Sequence, residues 1–558
     1  MKSIESSPYW VRGIIVYFLL FNLPVTCIFA QHNLPVIKAT ATNVKIKDGY
    51  VIREGIWNLS PEVKPDVYYV LRPNSKHNVT FYTDIDSIFF SVLPGNDYEF
   101  IVLLNGKDSC FTRISAVGAG SIRDVGQGTE ALISPEMLAM DFVVFRDYLQ
   151  SEHPGLYRYK SRERLQAVFD SCLLSITRPQ TRLEFARKIL FAISEIQDGH
   201  TGSNISSLLI KSYLESTKLF PLYLYFVNDK AFISCNNTDG LPVGTEILSI
   251  DNKPILEVRA QLFSYLPSDG SIETKKNQTL NNNGAFPFLY RWIFGFADSF
   301  SVNYKSTAGD IKTIQVPARL ASDFECEINA GRKSEQMLSL EYPKRGVGLL
   351  TIKTFDRNRL GGADQYFEKF LVKSFLELNE KNVENLIIDL RDNAGGQDEY
   401  GAQLYSYLTS KPFRYYASVE STGKVYTKEE NSLLGTLQPQ AYNFRGKVFI
   451  LINGLSFSTT AEFCAITKSN LKATFIGEET GGGYNGNTSG QTMKIELPNS
   501  HVQVIIPRFK YVNQVKASSF TDRGVIPDHK VIPDVLEYVN GMDVALQYTF
   551  DLIDGSKK

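Results

Sequence analysis

The stretch KVFILINGLSFSTTAEFCAIT (residues 447–467) joins a short apolar run to a helix-like run through a turn rich in hydroxyl side chains. An apolar run of this length predicts a buried strand, so we expect a strand–turn–helix unit here. Similar runs occur at VGLLTI (347–352), NLIIDL (385–390) and ATFIG (473–477), with helix-like segments after them. This alternation predicts an α/β layered sheet, which we assign to residues 336–545.

Two loops of this predicted sheet contain residues suited to an active site: RDNAGG (391–396) and GLSFSTTAEF (454–463). Functional sites collect on loops that leave the carboxyl ends of parallel strands. A serine at a strand-to-helix turn is held out from the sheet, beside helix amides that favour an oxyanion. Ser458 fits this position best and Ser456 is the weaker candidate, although either side chain could instead cap the helix.

A nucleophilic serine needs a base, because its free hydroxyl is a weak nucleophile at neutral pH. Of the six histidines, His200 lies in the glycine-flanked loop DGHTGS (198–203) directly after a predicted helix. Such a loop lets an imidazole face a cleft, but a loop histidine can equally be structural. The N–H groups of Gly395 or Gly396, together with that of Thr459, are the candidate oxyanion hole.

The rest of the chain divides by its periodicity into three further parts, giving a multidomain fold. Residues 31–125 alternate apolar and polar residues and predict a small all-β domain. Residues 134–217 predict a helical part of the core, with Ser134-Pro135 as a helix start and a capping box at 181–184. Residues 218–320 predict strands, and GLPVGTEILSIDNKPI (240–255) resembles the central segment of a PDZ domain, which binds a peptide as an added strand. An ordinary hairpin with glycine turns is the alternative for that segment.

The N-terminus predicts export. Lys2 and Arg12 lie before an apolar run at 13–22. This pattern is typical of a secretory signal peptide, which we assign to residues 1–30 with cleavage after Ala30. An uncleaved signal anchor is the alternative. We therefore expect a secreted or periplasmic protein with no membrane span after signal cleavage. The five cysteines that remain are widely spaced without ligand spacing, so we expect most of them to be small buried hydrophobes.

Composition excludes several partners. Lysine plus arginine (59) nearly balances aspartate plus glutamate (60), and no basic block occurs, so we expect no nucleic acid partner. The sequence contains no motif for an organic cofactor and no Cys/His metal-ligand spacing, so we expect no cofactor and no metal. The oligomeric state is not predicted.

Five segments in order carry a family resemblance: DGHT (198–201), the PDZ-like segment, IIDLRDNAGG (387–396), FILINGLSFSTTAEF (449–463) and FIGEETGGG (475–483). Over about residues 134–540 the chain resembles the C-terminal processing (tail-specific) peptidases, a serine-peptidase family that includes the tricorn protease core. The resemblance implies a serine endopeptidase acting on peptides or unfolded protein, with an α/β core and a PDZ-like insert.

The same resemblance implies roles for individual residues. One branch of the family pairs its serine with a lysine, but Gly483 stands at that position in GEETGGGYNG (477–486). The chain is therefore similar to the histidine-using, tricorn-core-like branch, with Ser458 as nucleophile and His200 as general base. In TDRGVIPDH (521–529), Asp522 is the expected orienting acid, with Asp528 and Glu462 as alternatives.

Two other functions fit the same fold. One is a non-catalytic secreted peptide- or lipid-binding protein, similar to the retinoid-binding protein of the interphotoreceptor matrix. The other is an esterase or related acyl hydrolase.

Overall fold

The chain forms two compact units, Met1–Ala131 and Leu132–Lys558. A computed structural model describes residues 132–556 apart from 205–215, 237–239, 282–284, 307, 325–335 and 518–520, together with the backbone of strands between residues 38 and 115. The predicted signal peptide, residues 1–30, lies outside the described residues.

The described segments of the first unit are all strands. They are β1 (Lys38–Lys47), β2 (Tyr50–Asn58), β3 (Val67–Pro73), β4 (Val79–Tyr82), β5 (Asp97–Leu104) and β6 (Lys107–Ser115). Strands β1 and β2 form an antiparallel pair, and the other four form an antiparallel sheet in the order β4-β3-β5-β6. The assignment of residues 31–125 to one domain stays a prediction.

Three helices open the second unit, and the caps of the first and third are those that the sequence predicts. They are α1 (Pro135–Glu152), α2 (Arg162–Leu174) and α3 (Arg182–Ile196). The Ser134 side chain accepts a hydrogen bond from Met137 N, and Thr181 and Glu184 form a reciprocal capping box. Helix α3 ends at Gln197, whose φ of 61° turns the chain into the segment that carries His200.

Short strands tie this helical part to the rest of the unit. They are β7 (Leu132–Ile133), β8 (Gln180–Thr181) and β9 (Gly202–Asn204). Strand β7 pairs with β8, and β9, which begins two residues after His200, pairs antiparallel with a long strand at Gln503–Asn513. The loop of His200 is therefore held between the end of α3 and a sheet edge.

Residues 218–320 form an antiparallel sheet with three helices, although we expected mainly strands. The strands are β10 (Lys218–Leu219), β11 (Leu222–Val227), β12 (Lys230–Asn236), β13 (Glu246–Ile250), β14 (Lys253–Pro254), β15 (Ser299–Lys305), β16 (Ile311–Pro317) and β17 (Arg319–Leu320). The helices are α4 (Ile255–Phe263), α5 (Thr274–Asn281) and α6 (Ala285–Phe294). Six of the ten residues of α6 are buried, so its sequence shows little of the polar face that marks an exposed helix.

Residues with positive φ form the turns of the segment 240–255. Gly244 has a φ of 87°, and Asp251 and Asn252 both have positive φ between β13 and β14. The main sheet has the order β11-β12-β13-β15-β16, so β11 lies at its edge. The identification of this part as a PDZ-like domain stays a prediction.

The α/β sheet predicted for the C-terminal part is confirmed. Its strands are β18 (Leu338–Lys344), β19 (Val347–Ile352), β20 (Asn385–Asp389), β23 (Lys447–Ile452), β24 (Ala473–Gly477) and β27 (His529–Lys530), in that order across the sheet. Strand β18 is antiparallel to β19 and the other pairs are parallel. The carboxyl ends of β20 and β23 therefore lie side by side, and both candidate loops follow them.

The remaining elements cover this sheet or form a second one. The helices are α7 (Arg357–Gly362), α8 (Phe367–Glu380), α9 (Asp398–Ser406), α10 (Thr459–Asn470), α11 (Val535–Val539) and α12 (Val544–Ile553), with single 3₁₀ turns at Ala321–Asp323 and Ser432–Leu434. The second sheet contains β21 (Tyr416–Ser421), β22 (Lys424–Val425), β25 (Thr488–Glu496) and β26 (Gln503–Asn513), with β9 paired to β26. Within the described part of the chain, no helix is both long enough and apolar enough to cross a bilayer.

Candidate active site

Ser458 lies where β23 turns into α10, as the sequence predicts. Its φ of 57° and ψ of −130° belong to a region that residues with a side chain rarely adopt, so the turn is strained. The residue occupies the N-cap position of α10, but its side chain makes no capping hydrogen bond. Ser458 is half-buried, so its hydroxyl is neither used as a cap nor enclosed in the core.

Ser456 has a structural role instead. Its Oγ donates to Leu390 O at 2.8 Å and accepts from Asn453 N at 3.1 Å, and the residue is fully buried. These bonds fix the turn after β23 to the end of β20. Ser458 is therefore the serine of this turn that remains available for chemistry.

His200 lies against the same turn. Its imidazole stacks on the ring of Phe457, the neighbour of Ser458, with ring centroids 4.4 Å apart. Both ring nitrogens are buried and have no hydrogen-bond partner among the described residues. Burial lowers the pKa of His200 to about 4, with Asp198 opposing and Lys275 and Arg158 adding to the shift. The imidazole is therefore neutral at neutral pH and able to accept a proton.

The other described histidines are engaged elsewhere. His153 Nε2 lies 2.8 Å from Thr201 Oγ1, His501 Nδ1 lies 3.0 Å from Glu496 Oε1, and His529 Nδ1 lies 3.1 Å from Tyr548 OH. His200 thus differs from them in having both nitrogens unpaired within the part of the chain that the structure describes.

Two carboxylates lie beside His200, and sequence reasoning had not singled out either. A ring nitrogen of His200 and one carboxylate oxygen each of Asp198 and Asp269 all lie within 4.8 Å of one another. Asp198 Oδ1 accepts from His200 N at 2.9 Å and from Thr201 N at 2.8 Å. Burial alone would raise the pKa of Asp198, but His153, His200 and these amides hold it below its usual range. Asp198 is therefore an anion at neutral pH.

Asp269 links the histidine loop to the glycine segment after β24. Its Oδ1 accepts from Gly199 N at 2.7 Å and its Oδ2 from Gly483 N at 3.1 Å. Burial raises the pKa of Asp269 to about 6, and the neighbouring Asp198 adds to the shift. Gly483, which stands where the lysine-using branch has its lysine, thus contributes a backbone amide to the site.

Two of the three acids expected from sequence bind other partners through their carboxylates. Asp528 accepts from Phe475 N at 2.8 Å and is ion-paired with Lys468. Glu462 accepts from Tyr416 OH and Asn487 Nδ2 at 2.7 and 2.6 Å in the core. Asp522 accepts hydrogen bonds from Ser271 N and Oγ through its main-chain oxygen, at 2.9 and 3.3 Å, and its role as the orienting acid stays a prediction. The carboxylates of Asp198 and Asp269 lie next to His200.

The glycine pair packs against the nucleophile turn. Gly395 has a φ of 97°, and a Cβ there would lie 2.7 Å from Ser458 Cβ and 3.0 Å from Thr459 N. Gly396 lies against the backbone of Phe355, where a Cβ would approach the carbonyl carbon to 2.0 Å. The two loops are therefore in contact, and only glycine fits at these positions.

The amides of the two glycines differ in their availability. Gly395 N donates to Asn393 Oδ1 at 2.9 Å, so this amide is already committed in the present conformation. The same Asn393 accepts from Phe457 N at 3.1 Å through its main-chain oxygen. Thr459 begins α10, where backbone amides lack intrahelical partners. The Thr459 hydroxyl is bonded to Gly396 O and Asp398 Oδ1, each at 3.1 Å.

Sequence reasoning missed Asp198, Asp269, Asn393 and Lys275. Lys275, in α5, reaches the site from a different part of the chain and donates to Gly199 O at 2.9 Å. The cluster of Asp198, His200 and Asp269 has the residue types of a metal site, but Lys275 already places a positive charge beside it. Asp198 lies within DGHTGS and Asn393 within RDNAGG, so a closer reading of these two motifs could have found both residues.

Comparison with known proteins relates part of the chain to a family. Residues 346–531 match the family model described as "Peptidase family S41". Two proteins of Staphylococcus epidermidis strains, each named "Probable CtpA-like serine protease", are 29% identical over 159 residues, which cover 28% of this chain and 30% of each relative. The match thus spans about a third of the relatives' length.

Solved structures share the fold. The structure of mature CPAF complexed with lactacystin has a TM-score of 0.52 at 15% identity, over 75% of this chain and 99% of that chain. The crystal structure of mature CPAF has a TM-score of 0.50 at 15% identity, over 76% of this chain and 99% of that chain. At this identity the likeness concerns the fold alone. Residues 346–531 of this chain are thus similar to peptidase family S41, the C-terminal processing peptidase-like family.

Proposed function

We propose that this chain is an exported serine endopeptidase that hydrolyses peptide bonds through an acyl-enzyme on Ser458, with His200 as general base. The observation that carries the proposal is a half-buried serine in a strained helix-start turn, with no capping bond, next to a histidine whose nitrogens are unpaired among the described residues. Similarity to family S41 supports peptide or protein substrates.

The proposed chemistry begins with a neutral His200, which its low pKa ensures at neutral pH. His200 takes the proton of Ser458 Oγ as this oxygen attacks the scissile carbonyl carbon, and the carbonyl π electrons move to its oxygen. The imidazolium then gives its proton to the leaving amine. Water repeats the two steps on the acyl-enzyme and releases the second product.

The imidazole must turn before it can act, since in the resting chain it stacks on Phe457. Catalytic hydrogen bonds are often formed only in the complex with substrate, so a resting geometry of this kind is compatible with the mechanism. We propose that Asp198 and Asp269 stabilise the imidazolium, the role that the sequence suggested for Asp522.

The proposed oxyanion hole consists of the amides of Thr459 and Gly396. The Gly395 amide takes part only if it leaves Asn393 Oδ1. Amides held in place before the reaction stabilise developing charge without reorganisation, and losing one such donor typically costs about 100- to 1000-fold in kcat.

Export is part of the proposal. The signal-like segment over residues 1–30 supports it, and so does Cys235, which is disulfide-bonded to a partner outside the described residues. Disulfides persist mainly in oxidising compartments. Cys172 and Cys464 are buried and free, as expected for small apolar residues.

The test uses the mature chain, an unfolded fluorogenic casein and a fluorophosphonate probe. Ser458→Ala should lower kcat by roughly a million-fold, and His200→Ala by nearly as much, because the pair acts as a unit. Ser339→Ala, on the edge strand β18, is the matched control and should keep full turnover. The probe should label Ser458, as read by peptide mass spectrometry.

Retained turnover in Ser458→Ala would overturn the proposal. Casein binding without turnover or labelling would favour the non-catalytic binding protein, and cleavage of esters but not peptides would favour an acyl hydrolase.

A further inference from the structure

Lys275 contacts both segments that carry the proposed catalytic pair, in each case at the preceding residue. Its Nζ donates to the main-chain oxygen of Gly199, which precedes His200, at 2.9 Å. The same Nζ lies 3.6 Å from the ring centroid of Phe457, which precedes Ser458. A single ammonium group thus joins the histidine loop to the nucleophile turn through a charged hydrogen bond and a cation–π contact.

The space around this ammonium group is tightly fitted. A Cβ on Gly199 would lie 2.9 Å from Lys275 Nζ and 2.9 Å from Phe457 Cε2. A contact below 3.0 Å forces a shift, so the lysine and the phenylalanine ring meet here undisplaced because residue 199 is a glycine. The glycine before His200 is therefore explained by Lys275.

The main chain of Lys275 is also fixed against the nucleophile turn. A Cβ on Gly454 would lie 2.4 Å from the carbonyl carbon of Thr274 and 2.8 Å from Lys275 N. Thr274 Oγ1 donates to Glu479 O at 2.9 Å, just after β24. The start of α5 is thus anchored on the same loops that hold Ser458, which leaves the lysine side chain little freedom to relocate.

Building on the proposed peptidase function, we propose that Lys275 is a positioning residue that holds the His200 loop and the Ser458 turn at the separation that proton transfer requires. The residue acts through Gly199 and Phe457, and it needs no contact with substrate.

Electrostatics give this role a distinct signature. Four charged or titratable groups face His200: Asp198, Asp269, Arg158 and Lys275. Beyond burial, Lys275 and Arg158 lower the pKa of His200 and Asp198 raises it. Burial lowers the pKa of Lys275 itself to about 8 while Asp269 and Asp198 oppose the shift, so most of its charge is present at pH 7. Removing that charge should raise the pKa of His200.

The experiment compares Lys275→Met with Lys276→Met in the full mature chain. Both lysines lie in α5, but Lys276 Nζ donates to Phe263 O at 3.1 Å and contacts neither catalytic segment. We expect Lys275→Met to lower kcat and the rate of fluorophosphonate labelling by about 10- to 100-fold, with KM changed less than about three-fold. Lys276→Met should leave kcat, the rate of labelling and KM unchanged. The His200 C2–H resonance, assigned with His200→Gln, should titrate at higher pH in Lys275→Met alone.

Each outcome bears on the inference. The inference would be overturned if the two lysine variants had equal kcat and an equal pKa of His200. It would also be overturned if both variants lost kcat equally and their Tm values fell equally. Loss of turnover in Lys275→Met but not in His200→Ala would make Lys275 the base and would also overturn it. Turnover that survives in Ser458→Ala would overturn the proposed function instead, and the His200 titration would still report whether Lys275 acts on His200.

Discussion

The imidazole of His200 lies almost flat on the ring of Phe457, with centroids 4.4 Å apart and planes inclined by 26°. Because Phe457 precedes Ser458, this contact brings the proposed base to the turn of the proposed nucleophile without a hydrogen bond between the two. Both ring nitrogens are buried. The stack therefore places His200 beside the Ser458 turn, and burial lowers the pKa of His200.

Burial of His200 should make stability depend on pH. Its pKa is about 4 in the folded chain, against an ordinary 6.5. Between these values the unfolded chain holds a proton that the folded chain lacks, so the free energy of unfolding falls as pH drops from 6.5 towards 4. The full effect is about 3 kcal/mol. Urea unfolding at several pH values gives the free energy of unfolding as a function of pH. This free energy should change less with pH between 6.5 and 4 in His200→Gln than in the unchanged chain. An equal pH dependence in the two chains would contradict the buried neutral imidazole.

Glu462 should behave as a neutral core residue. Burial raises its pKa to about 8, and Asp398 adds to the shift. Between pH 4.5 and 8 the folded chain holds a proton that the unfolded chain lacks, so this group lowers stability as pH rises. Glu462→Gln should remove that decline, because glutamine mimics the protonated form, and should leave kcat within about three-fold. A loss of turnover comparable to that of His200→Ala would restore Glu462 as a catalytic acid.

Gly395→Ala should reduce activity with modest loss of stability. The added Cβ would meet Ser458 Cβ at 2.7 Å and Phe457 O at 2.9 Å, at a φ of 97° that favours glycine. The strain is about 1–3 kcal/mol, and displacement of Ser458 should lower kcat about 100-fold. Gly361→Ala, where nothing lies within 4 Å, is the matched control. Equal kcat values in the two variants would mean that the glycine loop does not set the position of Ser458.

Replacing the carboxylates one at a time should identify the partner of His200. Asp269→Asn should lower kcat by about 100-fold or more, because the imidazolium loses a nearby negative charge. Asp522→Asn should leave kcat within about three-fold, since Asp198 and Asp269 already place carboxylate oxygens within 4.8 Å of a His200 ring nitrogen. A larger loss of kcat in Asp522→Asn than in Asp269→Asn would return the orienting role to Asp522. Melting temperatures of both variants separate lost catalysis from lost folding.

Asn281 should compete with any peptide that adds a strand at the edge of β11. Its side-chain amide pairs with both Phe226 N and Phe226 O, at 2.7 and 3.1 Å. A peptide adding there must displace Asn281 before it can use these groups. Asn281→Ala should therefore tighten binding of an unstructured fluorescent peptide, measured by anisotropy with the Ser458→Ala chain. Unchanged affinity would indicate that peptides dock elsewhere.

Strands β19, β20, β23 and β24 of the α/β sheet could be predicted because each one reads as a continuous apolar run bounded by turn residues, whereas the mixed sequence of β18 and the two residues of β27 give no such signal. The caps of α1 and α3 could be predicted because they depend on residues three or four positions apart. The helices at 255–294 were missed because they are only eight to ten residues long, a length at which a short run of residues does not distinguish a helix from a strand.

The sequence by itself determined that Ser458 follows a buried strand, that His200 follows a helix, and that a glycine pair follows the neighbouring strand, since all three depend on local patterns. Which carboxylates and which lysine meet that histidine was decided by the tertiary structure alone. Asp269 and Lys275 come from the segment after α4, and their proximity to His200 arises from packing between parts distant in the chain. Local patterns encode a turn, but contact between distant turns depends on how whole elements bury their surfaces against one another.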